Sequence, residues 1–334
     1  MGERTQIRRR EFISLLAGAT AWPFAARAQQ PSVPVAGFLS PIAAADATLF
    51  LEANRQGLKE TGFVEGQNLK IEYRWAEGHY DRLPGLAAEL VKMRVAVITT
   101  MGDGVYAAKA AQPEGNRDAI PIVFGLGDDP VVTGLVASLN RPGGHITGAT
   151  SFGHGLGPKK LELLRELVPA AKIFGVLINP TQTGRMEGRD IEQSARSLGI
   201  ETRTLNASST VQIEEAFATA TRERIGGIII TVDTFLYSES PKLGLLAARY
   251  AVPTIGSLRS FTAAGGLINF NANLRDIQRQ VAIYTGRILK GEKPADLPVI
   301  LPTKYDLVIN LNAAKALKLE VPPPLLALAD EVIE

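Results

Sequence analysis

The sequence predicts an α/β protein made of two doubly wound parallel-sheet lobes, joined by a hinge that the chain crosses more than once. Three observations predict it. Short apolar, β-branched runs recur in two series, helical apolar patterns lie between them, and a turn-rich stretch separates the series. Strands that read as continuous apolar runs are buried on both faces, as parallel strands covered by helices must be.

The first series occupies 35–39, 69–73, 95–100 and 120–125, with starts stepping by 34, 26 and 25 residues. Leu83, Leu86, Ala87, Leu90 and Val91 lie within it at i, i+3, i+4, i+7 and i+8, the spacing of one buried helical face. The second series is 173–179, 200–205, 226–233 and 252–256, stepping by 27, 26 and 26. Here Leu161, Leu164 and Val168, then Ile191, Ala195 and Leu198, mark helices. A period near 26 suits one strand–helix unit with short loops. Arg141-Pro142-Gly143-Gly144-His145-Ile146-Thr147-Gly148 reads as the crossing between lobes, and 131–139 as a helix opened by Asp129-Pro130. After the second series come a strand-like run at 266–270 and a long helix over about 274–290, closed by Gly291. An extended stretch (297–311) and small terminal helices follow. The expected organisation is a leader over 1–28, a first lobe over 33–148 plus about 266–292, and a second over 149–265 plus about 293–334.

The 334 residues carry 36 Lys+Arg against 34 Asp+Glu, three His and no Cys. That excludes a disulfide framework, a thiolate metal site and a cysteine nucleophile. Residues 1–28 hold five Arg and two Glu, which leaves the remainder at −1, with no basic stripe for nucleic acid. Arg8, Arg9 and Arg10, an apolar run of 13 residues (12–24) and Ala26-Arg27-Ala28 have the layout of an export signal cleaved near Ala28. Arg9-Arg10-Glu11-Phe12-Ile13 resembles a twin-arginine motif, although a Sec-type signal reads almost as well. The run is too short to span ~30 Å of hydrocarbon. The expected compartment is the periplasm, and the expected mature protein a soluble monomer.

In open α/β sheets, ligands sit beyond the carboxyl ends of the strands. Two facing lobes therefore nominate Ser40, Met101, Gly102, Asp103, Gly125 and Asp128 from the first, and Asn179, Asp233 and Ser257 from the second. The crossings add Thr150, Ser151, Asn269 and Phe270. Such hydroxyls, amides and acids hold a small polar molecule without transforming it. Asp233 is the candidate partner for an ammonium group, or else the cap of the next helix. Met101-Gly102-Asp103-Gly104 is either a carboxylate cradle or a plain turn with an Asp cap. Phe270 and Tyr237 would supply an apolar wall. Nucleophile-elbow, P-loop and zinc-protease motifs do not occur in the sequence, and Gly153-His154-Gly155-Leu156-Gly157 reads as a flexible connection. No catalytic residue, metal or cofactor is expected.

Several segments resemble the ABC-transporter substrate-binding proteins of the tryptophan- and tyrosine-binding type. They are the leader, Gly62-Phe63-Val64-Glu65-Gly66-Gln67-Asn68-Leu69, Asp129-Pro130-Val131 with Gly134-Leu135-Val136, and Arg141-Pro142-Gly143-Gly144. Lys290-Gly291-Glu292-Lys293-Pro294-Ala295-Asp296-Leu297-Pro298 and 310–317 continue the match. The resemblance implies a type I periplasmic-binding fold with three crossings, closure on a solute, and delivery to an inner-membrane ABC permease. Gly256 stands where that family usually has Tyr, and Asn269-Phe270-Asn271 where it often has Ser-Tyr-Gly. Both departures suggest a solute more polar than an aromatic amino acid. The expected function is solute binding for an ABC importer, the solute being an amino acid or related carboxylate. A ligand-sensing subunit for a membrane receptor and a periplasmic α/β hydrolase are the alternatives.

Overall fold

A computed structural model describes residues 33–113, 115, 118–151 and 156–334. The leader and Gly153 to Gly155 lie outside them. The first sheet contains β1 (Val35–Ser40), β2 (Lys70–Trp75), β3 (Val97–Met101), β4 (Ile122–Leu126) and β5 (Ile146–Thr150), in the order β2-β1-β3-β4-β5 and parallel throughout. The second contains β6 (Ile173–Ile178), β7 (Glu201–Asn206), β8 (Gly227–Ile230), β9 (Thr254–Gly256), β10 (Ile268–Ala272), β11 (Tyr305–Asn310) and β12 (Glu331–Ile333). Its order is β12-β11-β10-β9-β8-β6-β7, with β10 and β11 the antiparallel pair. In each lobe the first strand of the series lies between the second and third. This reversal of strand order is what opens a crevice at the carboxyl ends.

The helices are α1 (Thr48–Glu60), α2 (Leu83–Lys92), α3 (Gly104–Ala110), α4 (Leu156–Leu167), α5 (Gln182–Ser197), α6 (Thr210–Arg222), α7 (Thr234–Ser238), α8 (Ser240–Arg249), α9 (Arg259–Ala263), α10 (Leu274–Leu289), α11 (Leu311–Ala316) and α12 (Pro323–Ala327). Each sheet has an apolar core on both faces. In the first lobe Ile98 and Phe124 face α2 and α3, while Val97 and Val123 face α1 and α10. In the second, Phe174 and Val176 pack with Leu161 and Ile191, and Leu177 and Ile228 with Phe217. Burying such side chains contributes roughly 1.5–3 kcal/mol each. α1 and α10 meet closely because glycine stands at both contacts: a Cβ at Gly57 would strike the Arg279 carbonyl, and one at Gly286 the Thr61 hydroxyl. No helix among the described residues is long and apolar enough to cross a membrane.

All eight expected runs contain strands, with ends shifted by at most three residues. Three expectations need correction. Residues 146–150 are the fifth strand of the first sheet rather than part of a crossing, since Ile122 to Leu126 pair with Ile146 to Thr150. Residues 131–139 form turns, not a helix. Asp129 Oδ1 accepts from the amides of Val131 (2.8 Å) and Val132 (3.3 Å), but Gly134 then turns left-handed (φ +69°) and Leu135 N returns to Pro130 O. The run at 266–272 joins the second sheet, not the first lobe, because β10 pairs with β9 and β11. The chain thus passes between lobes after β5, between β10 and α10, and between Ile300 and β11. Ile300 still belongs to the first lobe, bonded to Gly148 O and Thr150 N.

Candidate functional site

The carboxyl ends of the two sheets face each other, and side chains from both close the gap. β3 ends at Met101, and Gly102 follows with φ +49°, its amide on Gly125 O. A Cβ on Gly102 would lie 3.0 Å from Thr234 Oγ1, and one on Gly127 would collide with Val232 and Thr183. Glycine at these two positions lets the lobes touch.

Asp103 precedes α3 but makes no side-chain cap. Its carboxylate instead crosses to α5, accepting from Thr183 Oγ1 (2.8 Å) and Gln182 N (3.2 Å). Asp128 accepts from Tyr106 OH (2.8 Å) on its own lobe and from Thr183 Oγ1 (3.0 Å) on the other. Asp233 caps α7 through Leu236 N (3.1 Å), so that reading of the residue is realised. It also accepts from Asn179 Nδ2 (3.1 Å) and from Tyr80 OH (3.1 Å). Tyr80 belongs to a 3-10 turn (Tyr80–Arg82) of the first lobe. Asp128 and Asp233 are 3% and 4% exposed, and burial pushes each carboxyl up to about 6. Burial raises Asp103 as well, against the pull of its Thr183 and Gln182 bonds. Thr183 has one hydroxyl proton and two carboxylates beside it. It therefore donates to one of them at a time.

Between these groups lies a narrow cavity. Of the nominated residues, Met101, Gly102, Asp103, Gly125, Ser151 and Asp233 line it. Phe50, Leu126, Val232, Tyr237, Leu274 and Ile277 form its apolar walls, with Gln278 and the hydroxyls of Thr183 and Thr234. Among the described residues that line it there is no Lys, Arg or His. Asp103 and Asp233 are the charged groups of that lining. No group of three or more His, Cys, Asp or Glu among the described residues is placed to hold a metal.

The other nominated residues stand behind the cavity. Ser40 Oγ accepts from Ile42 N (3.3 Å), and Thr150 Oγ1 donates to Leu126 O (3.1 Å) and Asp128 O (2.9 Å). Asn179 positions Asp233 and accepts from Ser208 Oγ. Ser257 Oγ accepts from Lys160 Nζ (3.0 Å), a fully buried ammonium that also donates to Glu187 Oε1 (3.0 Å) and Ile230 O (3.1 Å). Asn269 is buried beside β11, and Phe270 stacks on Tyr305 rather than on the cavity. Asp128 lines an adjoining hollow against α5.

Gly256 also faces away from the cavity, for the Phe261 ring fills the place where its side chain would be. The residues that suggested a more polar solute thus do not touch it, and the walls that do are largely apolar. Phe50, Leu274, Ile277 and Gln278 went unnominated because they lie on amphipathic faces of α1 and α10, whose spacing reads as core. Their signal is the single amide, Gln278, on an otherwise apolar stripe.

A family model described as ABC transporter substrate binding protein matches residues 45–333. A "Tyrosine-binding protein" of Clostridioides difficile (strain R20291) is 24% identical over 270 residues, 79% of this chain and 75% of that one. A conserved domain protein from Vibrio cholerae superposes with a TM-score of 0.80 at 25% identity, covering 90% of this chain and 99% of the other. An ABC domain from Streptococcus pneumoniae in complex with L-Trp also superposes at 0.80, with 23% identity, over 90% of this chain and 100% of its own.

Proposed function

The chain belongs to the ABC transporter substrate binding protein family, and from that premise we propose that it captures an α-amino acid between its lobes and hands it unaltered to a membrane permease. One observation carries the choice of solute. Each lobe contributes a carboxylate, Asp103 and Asp233, to one cavity whose remaining walls are largely apolar. An α-ammonium would sit between the two acids, and an apolar or aromatic side chain would lie along Phe50, Leu274 and Ile277. The relative named as a tyrosine-binding protein and the relative solved with L-Trp support the same class.

A solute touching both lobes binds the closed arrangement better than an open one, which is how it shifts the equilibrium between them. The hydroxyl of Thr234 and the backbone around Gly102 are at hand for the carboxylate. The protein acts in the periplasm as a monomer, after removal of residues 1–28, and without catalysis.

Thermal-shift and calorimetric titration of the mature chain against amino acids, small carboxylates and nucleosides tests this reading. An L-amino acid should raise the melting temperature, with stabilisation near 2.7 kcal/mol at about 100 times Kd. The same acid lacking its amino group should not. Binding of a nucleoside or an amine-free carboxylate, with no response to any amino acid, would overturn the proposal.

A further inference from the structure

We propose that Gln278 Nε2 donates a hydrogen bond to an oxygen on the solute's side chain, and so selects amino acids bearing such an acceptor over their apolar isosteres. The inference rests on the amino-acid reading above and concerns another side chain of the same cavity.

Gln278 is 2% exposed and lines the cavity from α10. Its Nε2 is buried and has no hydrogen-bond partner in the protein. Burying an amide donor without an acceptor is unfavourable, so such a group is placed for a partner that arrives from outside. The neighbours on its helix, Leu274 and Ile277, are apolar, as is Phe50 of α1, and none of their side chains can accept.

Gly125 of β4 lies beside the amide, for a Cβ there would stand 3.4 Å from Gln278 Oε1, at ordinary contact distance. The ionisable groups Asp103 and Asp233 lie where the lobes meet and already bond across the gap. Gln278 belongs instead to the helix that covers β3, β4 and β5 of the first lobe. An amino acid held by its ammonium at the carboxylates would direct its side chain along the apolar wall to this amide. A leucine or methionine at 278 would complete the wall if nothing polar were to be read there.

The experiment is calorimetry on the wild-type chain and Q278M with the near-isosteric pairs Tyr/Phe and Thr/Val. Wild type should bind the oxygen-bearing member of the accepted pair about tenfold or more tightly. In Q278M that ratio should collapse, because the oxygen-bearing member loses more affinity than the apolar one. The melting temperature of unliganded Q278M should hold or rise, because an unpartnered polar group has been removed. Q278L repeats the measurement should Q278M not be recovered folded. Equal weakening of both members, an unchanged ratio, or a wild-type preference for the apolar member would overturn the inference while leaving the amino-acid reading in place. Absence of heat with every amino acid would remove both.

Discussion

The phenol of Tyr80 crosses the cleft and donates to Asp233 Oδ2 at 3.1 Å. The Tyr80 phenol oxygen also lies 2.9 Å from Thr234 Oγ1 and accepts from Phe235 N at 3.3 Å. One hydroxyl of the first lobe thus engages the start of α7 on the second. Burial, followed by the Asp233 charge, raises this phenol well above its usual range, so it stays a donor.

Removing that hydroxyl should loosen closure without disturbing either lobe. Y80F keeps the ring, which packs into the apolar cores of both lobes, and deletes a bond worth ~1 kcal/mol. Apparent solute affinity should fall roughly fivefold, since the binding-competent population shrinks. Calorimetry reads the affinity and small-angle scattering the opening. An unchanged radius of gyration and unchanged Kd would show that Tyr80 is not a latch.

The two carboxylates on the cavity separate by substitution. D233N retains an N-cap residue of similar quality for α7, yet loses the charge facing the solute. Losing a charge partner buried with an ammonium costs about 2–5 kcal/mol of binding. D103N should behave alike and cost less in folding, because Asp103 caps nothing. Wild-type affinity in both variants, measured by titration calorimetry, would remove the ammonium site.

Acidity should move folding and binding in opposite directions. Asp128 and Asp233 titrate at about 6 in the folded chain because they are buried, and near 3.9 once unfolded. Between those values the folded state holds protons that the unfolded state has released. Unliganded stability therefore falls as pH rises from about 4 to about 6, then levels as far as these groups are concerned. An ammonium solute needs the ionised acids, so its affinity should fall as pH drops below about 6. Melting curves at pH 5 and 7.5, with and without solute, check both signs. A solute-induced shift that is larger at pH 5 would contradict the assignment.

What the residues disclose in advance follows from how they are buried. β1, β3, β6 and β8 are covered on both faces, so their sequences are mostly apolar and stand out. β5 is short and has Gly148 at its centre, where the Phe124 backbone lies too close for a Cβ, so its sequence reads as a turn. Asp103 and Asp233 were legible because strand ends in this architecture point at the cleft. Tyr80, Thr183 and Gln278 were not. Their roles arise from contacts between segments far apart in the chain, and no local spacing encodes them.

Lys160 shows the same limit from the side of stability. A lysine on a helix reads as solvated, yet this one is fully buried and joins α4 to the ends of β8 and β9 through Glu187, Ile230 O and Ser257. Glu187 also accepts from Val232 N beside the cavity. K160M would strand the glutamate with its charge unmatched, a loss of about 3–5 kcal/mol of folding stability. In K160M/E187Q the second residue is neutral and keeps a carbonyl for Val232 N, so much of that loss should return. Urea denaturation of the two single variants and the double measures the coupling. Recovery in the double variant identifies the uncompensated charge as the cause. Strictly additive losses would instead assign the effect to packing around the Lys160 side chain, and the pair would then have no special role in shaping the wall that Val232 presents to the solute.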